Sequence, residues 1–235
     1  MYGLVSQIVI NGLMSGLVYI LMALGFTLIF GIMRVVNFAH GEFYMIGAFL
    51  IYGLYGSLGV NFLACVAIAT VAVGLLGGVL ERLLFRPFIG RELSGMIMAL
   101  ALAITLQAAA FIVFGTDELS VGRPVSGILR LGDAVVPLDR LAVGAGALLA
   151  LGFFYVFLRH TKLGLAMRAV AQDQEIASLQ GIRPKMIHPL SFALGTALAG
   201  FAGALMAPIY TIHPYMGKLP MLKAFVVVIL GGLGS

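Results

Sequence analysis

Charge is what this chain has least of. Only 10% of its 235 residues are Asp, Glu, Lys or Arg, against about a quarter in soluble domains. Two stretches, Tyr2–Met33 and Phe43–Leu80, hold no acidic, basic or histidine residue at all. With a mean hydropathy of +1.12, this excludes one hydrophobic core in water and points to an integral membrane protein. Cysteine is nearly absent. Cys65 alone, inside an apolar run, excludes an intrachain disulfide and a multi-cysteine metal site, and it reads as a small buried packing residue. Catalytic patterns are missing too. The spans contain no pair of carboxylates, no HExxH, no GxSxG and no glycine-rich phosphate loop followed by Lys-Ser or Lys-Thr. The chain is therefore not expected to be an enzyme, to hydrolyse ATP or to carry a cofactor. No basic segment precedes the first apolar run, which is too long for a cleavable signal and reads as a span. The net charge of +5 comes from bases in short segments between apolar runs. No nucleic-acid-reading motif accompanies them, so they read as determinants of membrane orientation.

What is present is an all-α pattern: a polytopic transmembrane helix bundle, taken as one transmembrane domain over residues 1–235. A span needs about 20 apolar residues at 1.5 Å rise each. Six segments meet that length: Leu4–Met33, Phe43–Ser57 with help from Val35–Glu42, Asn61–Leu80, Leu93–Phe114, Leu141–Leu158 and Pro189–Ile212. Ala224–Ser235 begins a seventh and stops, so the chain is expected to be incomplete at its C-terminus. Gln7, Asn11, Ser15 and Tyr19 share one face of the first span. Gly12 and Gly16 lie beside them at a spacing that lets another backbone come close. Gly195, Ala199, Gly203 and Ala207 form a similar small-residue stripe later on. Gly115–Arg140, rich in turn formers and in both signs of charge, reads as an ordered external loop with a short hairpin. With the N-terminus outside, the inward loops hold Arg34, Arg82, Arg86, Arg91, Arg159, Lys162, Arg168, Arg183 and Lys185. The outward ones hold Arg123, Arg130, Arg140, Lys218 and Lys223. Nine against five favours that orientation.

Two stretches carry polar chemistry. Asn37, His40 and Glu42, with Gly41 among them, stand between the two uncharged runs. Polar groups at such a place are costly unless they line a cavity or meet each other, which makes them candidates for the translocation path. Gly41 would break the helix, giving a discontinuous span over Val35–Gly56 of the kind transporters use. A polar turn at the membrane surface is the alternative. His40 and Glu42 lack a third ligand, so no metal site is read from them. The second stretch is the basic inward loop Arg159–His188, helical over Leu165–Leu179. Asp173 and Glu175 lie mid-loop, and Gly181 with Pro184 suits a helix stop. It suits docking on a soluble partner, or lying on the headgroups as a connector.

Val36-Asn-Phe-Ala-His-Gly-Glu-Phe-Tyr-Met-Ile-Gly47, with Leu24–Gly31 before it and Val228–Ser235 at the end, resembles the signature of the bacterial branched-chain amino acid permeases of ATP-binding-cassette importers. The loop around Glu175, Ala177 and Gly181 is similar to the Glu-Ala-Ala…Gly element by which such permeases contact their ATPase. It differs in having Ile176 at the middle position. The resemblance implies a multi-pass protein of the bacterial inner membrane, working without a cofactor of its own. It implies a homologous second permease subunit, two cytoplasmic ATPase subunits and a periplasmic substrate-binding protein as partners. Leucine, isoleucine and valine are the implied substrates, and urea or short amides are the alternative within the same family. A stand-alone secondary transporter or channel is the rival of another class. It would need coupling acids within spans, where only Glu42 comes near.

Overall fold

The computed structural model describes residues 2–131 and 134–232. Helix α1 (Tyr2–Met33) is followed by α2 (His40–Ile51), which widens into a π-type turn at Tyr52–Ser57. Then come α3 (Phe62–Leu80), extended by a π-type turn at Glu81–Phe85 and a 3₁₀ turn at Arg86–Phe88, and α4 (Glu92–Phe114). A hairpin of β1 (Ile128–Leu131) and β2 (Ala134–Pro137) precedes α5 (Leu138–His160). The chain ends with α6 (Lys162–Gln172), α7 (Gln174–Leu179), α8 (Pro184–Met206) and α9 (Lys218–Gly231). The expected hairpin is present, with Leu129 opposite Val136; residues 132–133 of the expected loop, and 233–235 of the final apolar run, lie outside the described residues. Among the described residues, five helical segments are long and apolar enough to cross a membrane: Gln7–Met33, Phe62–Phe88, Glu92–Phe114, Leu138–His160 and Pro184–Met206. The segment around α2 is helical over a shorter length, for a reason given below.

Helix α8 organises the bundle. It packs most extensively on α3, α2 and α1, and its small residues explain why. A Cβ at Gly195 would fall 2.6 Å from the Gly25 carbonyl oxygen of α1, and one at Gly203 would collide with the Tyr44 carbonyl of α2. Two helices, α1 and α2, thus approach α8 at backbone distance, as the small-residue stripe led one to expect. Hydroxyls within this packing are absorbed locally: Ser191 donates to the Ile187 carbonyl (2.8 Å) and Thr196 to that of Phe192 (2.9 Å). Large side chains fill the space on either side. One buried cluster gathers Leu21, Met45, Ile51, Cys65 and Leu205; another gathers Ile32, Phe43, Phe85, Met167 and Phe192. Cys65 is buried there, as the sequence suggested.

The outward faces are aliphatic. Leu63, Leu75, Leu93, Ile97, Ile104, Ile112, Leu149 and Phe153 are exposed along α3, α4 and α5, the expected lipid contact of a bundle with no apolar contrast to water at its rim. On α1, Ile8, Val9, Leu13 and Ile20 are exposed, while Gln7, Asn11, Ser15 and Tyr19 are half-buried. Gly12 and Gly16 have no atom near a Cβ position among the described residues, so no described backbone uses that part of α1.

Candidate translocation site and coupling surface

The polar stretch 37–42 begins where α1 ends. Arg34 donates its backbone N–H to the Phe30 carbonyl (2.8 Å) and adopts φ +56°. This left-handed conformation usually falls to glycine and stops the helix. Residues 34–37 are then non-helical. The Asn37 Oδ1 accepts from the Ala39 N–H (3.1 Å), an Asx-type turn that redirects the chain. Helix α2 starts at His40, whose Nε2 donates to the Met22 carbonyl (3.1 Å). Met22 lies 11 residues before the end of α1 at Met33, about 16 Å along its axis at 1.5 Å per residue. Residues 34–39 form a non-helical link with a turn at 38–39, so the His40 side chain meets α1 well back from its end.

This corrects the expected position of the break. The expected span broken at His40-Gly41 is not present: residues 34–39 are the non-helical link between α1 and α2, and Gly41 sits inside the first turn of α2. Its lack of a side chain serves another purpose. A Cβ there would lie 2.5 Å from the Gly217 carbonyl oxygen and 2.9 Å from Met221 Cβ, while one at Gly217 would collide with the Gly41 carbonyl. The starts of α2 and α9 are pressed together, backbone on backbone.

Asn37, His40 and Glu42 are 1%, 0% and 3% exposed. They are thus held inside the chain, and in this conformation they face no open route. Glu42 Oε1 accepts from Gln107 Nε2 of α4 (2.7 Å). Among the described residues, Glu42 Oε2, Asn37 Nδ2 and His40 Nδ1 have no hydrogen-bond partner. Such groups are costly in an apolar interior, and three of them within six residues mark a region able to accept other partners when the packing changes. No group of three His, Cys, Asp or Glu side chains suited to a metal occurs among the described residues.

The second candidate region is a helix pair, not the single helix expected over Leu165–Leu179. Asp173 separates α6 from α7, and its Oδ1 caps α7 by accepting from the Glu175 and Ile176 N–H groups (2.8 and 2.9 Å). At the other end Gly181 has φ +84°, with the Ile182 N–H bonded to the Ala177 carbonyl (3.1 Å). This is the left-handed stop foreseen from the glycine. The three named residues part company. Glu175 and Gly181 are exposed, whereas Ala177, 3% exposed, packs into the bundle. Ile176 and Leu179 point outward at 58% and 86% exposure. Behind them, Gln174 Nε2 donates to the Ile32 carbonyl at the end of α1 (2.8 Å) and to His188 Nε2 of α8 (3.1 Å). The short helix is tied to two long ones at a point directly beside the sharp turn at Arg34.

The sequence pattern of the family described as "Branched-chain amino acid transport system / permease component" matches residues 8–235. The chain belongs to this family of permeases. It is 32% identical to the high-affinity branched-chain amino acid transport system permease protein LivH of Escherichia coli K12, over 97% of this chain and 79% of that protein. It is 33% identical to BraD of Pseudomonas aeruginosa, which carries the same description, over 97% of this chain and 80% of that protein. The permease protein LivM of E. coli matches at 26% identity, over 93% of this chain and 57% of that protein. No solved structure matches. This permease has polar contacts between distant helices that sequence reading did not find: Gln107 to Glu42, and Gln174 to Ile32 and His188. The partners lie 65, 142 and 14 residues apart. Only the isolated amide of Gln107 within an apolar span gave a sign of one. Glu81 was also passed over. It is buried, and neither carboxylate oxygen has a partner among the described residues.

Proposed function

We propose that this permease is the membrane subunit of an ATP-binding-cassette importer that moves branched-chain amino acids into the cytoplasm. The observation that carries the proposal is its identity of 31–33% over 97% of the chain to LivH and BraD, whose names specify that transport system. Similarity to LivM as well supports pairing with a second, homologous permease subunit, with the substrate passing between the two. ATP hydrolysis belongs to two cytoplasmic subunits in this reading, and a periplasmic protein delivers the substrate.

The exposed face of α7, Ile176 and Leu179 beside Glu175, is the docking surface for an ATPase. Movement imposed there reaches the ends of α1 and α8 through Gln174, and the turn at Arg34 passes it to the buried stretch 37–42. That stretch acts as a gate: α2 shifts against α9 and α1, and Asn37, His40 and Glu42 gain partners they now lack. The proposal is tested with the assembled importer in proteoliposomes, supplied with ATP and the binding protein. ATP-dependent uptake of labelled leucine, isoleucine or valine is expected. Uptake of urea with none of the three would replace the substrate assignment, and uptake without any ATPase subunit would replace the class.

A further inference from the structure

A cavity of about 230 Å³ opens between α1, α2 and the segment that leads into α9. It is separate from the buried residues 37–42 and lies below the roughly 300–1,000 Å³ typical of sites for drug-sized ligands, a scale fitting one amino acid. Its walls combine three kinds of group. Lys223 brings a cation from the exposed side of α9; Tyr19, Tyr44 and Tyr210 bring rings and hydroxyls; Met216 and Leu219 bring apolar surface.

Lys223 is the odd residue of its surroundings. Leu219, Leu222, Val226 and Val227 around it on α9 are exposed and aliphatic, and an ammonium facing lipid from such a helix is expensive. Its Nζ donates to the Tyr19 hydroxyl (3.2 Å) and stands 4.6 Å from the centre of that ring. It makes no ion pair with a carboxylate among the described residues. Tyr19 in turn ends the polar face of α1, so the cation and that face adjoin. An independent observation comes from Tyr44. It is 2% exposed and lines the same cavity, yet its hydroxyl makes no hydrogen bond among the described residues. A hydroxyl on an otherwise buried ring, unbonded among the described residues and lining a cavity beside an unneutralised ammonium, suits an anionic acceptor.

We infer that this cavity is a substrate subsite for the zwitterion of an aliphatic α-amino acid, in which Lys223 and the Tyr44 hydroxyl hold the carboxylate. The substrate ammonium then faces the ring of Tyr210, and the aliphatic side chain rests on Met216 and Leu219. The inference rests on the transport reading above and adds a recognition step within the permease itself.

The test uses the assembled importer with Lys223→Cys in a Cys65→Ala background. Uptake should fall by roughly tenfold or more, as expected for losing a hydrogen bond to a charged group, with assembly unchanged. Attaching an aminoethyl group to the introduced thiol should restore uptake, and attaching a methyl group of neutral charge should not. Bound substrate should slow both modifications. Full uptake by the unmodified variant, equal rescue by both reagents, or no protection by substrate would each overturn the subsite. Failure of the transport reading looks different: the unsubstituted importer would then move urea in place of branched-chain amino acids. A carboxylate subsite would have no purpose in that case, and Lys223→Cys should leave urea uptake intact.

Discussion

At the level of single residues, the buried pair Glu42–Gln107 is the clearest case of a polar group whose value depends on its partner. Removing Gln107 strips the one hydrogen bond from a carboxylate whose other oxygen is already bare, at a cost of about 1–3 kcal/mol or more for a charged group. Gln107→Leu is therefore expected to lower the thermal midpoint of the purified complex. Glu42→Gln keeps an amide acceptor for Gln107 and should cost less. Equal losses would mean that the charge, and not the hydrogen bond, holds α2 against α4. The glycine pair makes a sharper prediction. Gly41→Ala puts a methyl group 2.5 Å from the Gly217 carbonyl oxygen, and overpacking of this kind costs about 1–3 kcal/mol. Gly152→Ala in α5 meets no described atom and should be neutral or gain up to about 1 kcal/mol of helix propensity. The two variants are compared by the fraction of monodisperse complex surviving a heat step. Survival of Gly41→Ala at the Gly152→Ala level would deny the close approach of α2 and α9.

Among elements, α7 shows what a sequence discloses and what it hides. Gly181 announced the end of the helix, and Asp173 and Glu175 announced a polar, mixed-charge surface. The split at Asp173 was not foreseen, because an Asp within a helical pattern is as readily a solvated residue as a cap. Which side faces out was also hidden: Ala177 looks available in the sequence and is buried in the structure. The break before α2 was displaced for a similar reason. Glycine is the usual helix breaker, so Gly41 drew attention, yet Arg34 takes the left-handed conformation and Gly41 is spent on packing. Small-residue spacing on α8 was legible because four-residue periodicity is local; the contacts of Gln107 and Gln174 were not, because their partners are distant in sequence. If α7 docks on an ATPase, Leu179→Asp and Glu175→Arg should insert normally but lose substrate-stimulated ATP hydrolysis in the assembled importer. Gly181→Val forces a β-branched residue into φ +84°, a strain of about 1–3 kcal/mol, and should misdirect the exit from the loop with the same result. Asp173→Ala removes the cap, worth roughly 1 kcal/mol, and should reduce stimulation less. Full stimulation in the first three variants would leave α7 a passive connector.

For the molecule as a whole, the open question is which end of the bundle faces which compartment, and the loops decide it. The long segment after α4 is bound into one unit. Leu119 and Ile212 exchange backbone hydrogen bonds (2.9 and 2.7 Å), Arg123 pairs with Asp139 (3.3 Å), and the β1–β2 hairpin follows. This joins the loops after α4 and α8 on one side of the bundle. On the other side, Gln174 joins the α6–α7 region to the ends of α1 and α8. Two loop groups tied separately to opposite helix ends cannot share a membrane face. From the balance of Lys and Arg, the α6–α7 side is expected to face the cytoplasm. Single cysteines at Ser120 and Arg168, both exposed, should then report opposite faces to an impermeant thiol reagent. The background is Cys65→Ala, which removes a thiol that is itself fully buried. In intact cells with a permeabilised outer membrane, Ser120→Cys should be labelled and Arg168→Cys should become reactive only after the inner membrane is opened. The reverse order would keep the fold and invert the protein, moving α7 away from any cytoplasmic ATPase. Labelling of both from outside would mean that a helix between them does not cross, and the arrangement of spans derived from these loops would have to be abandoned.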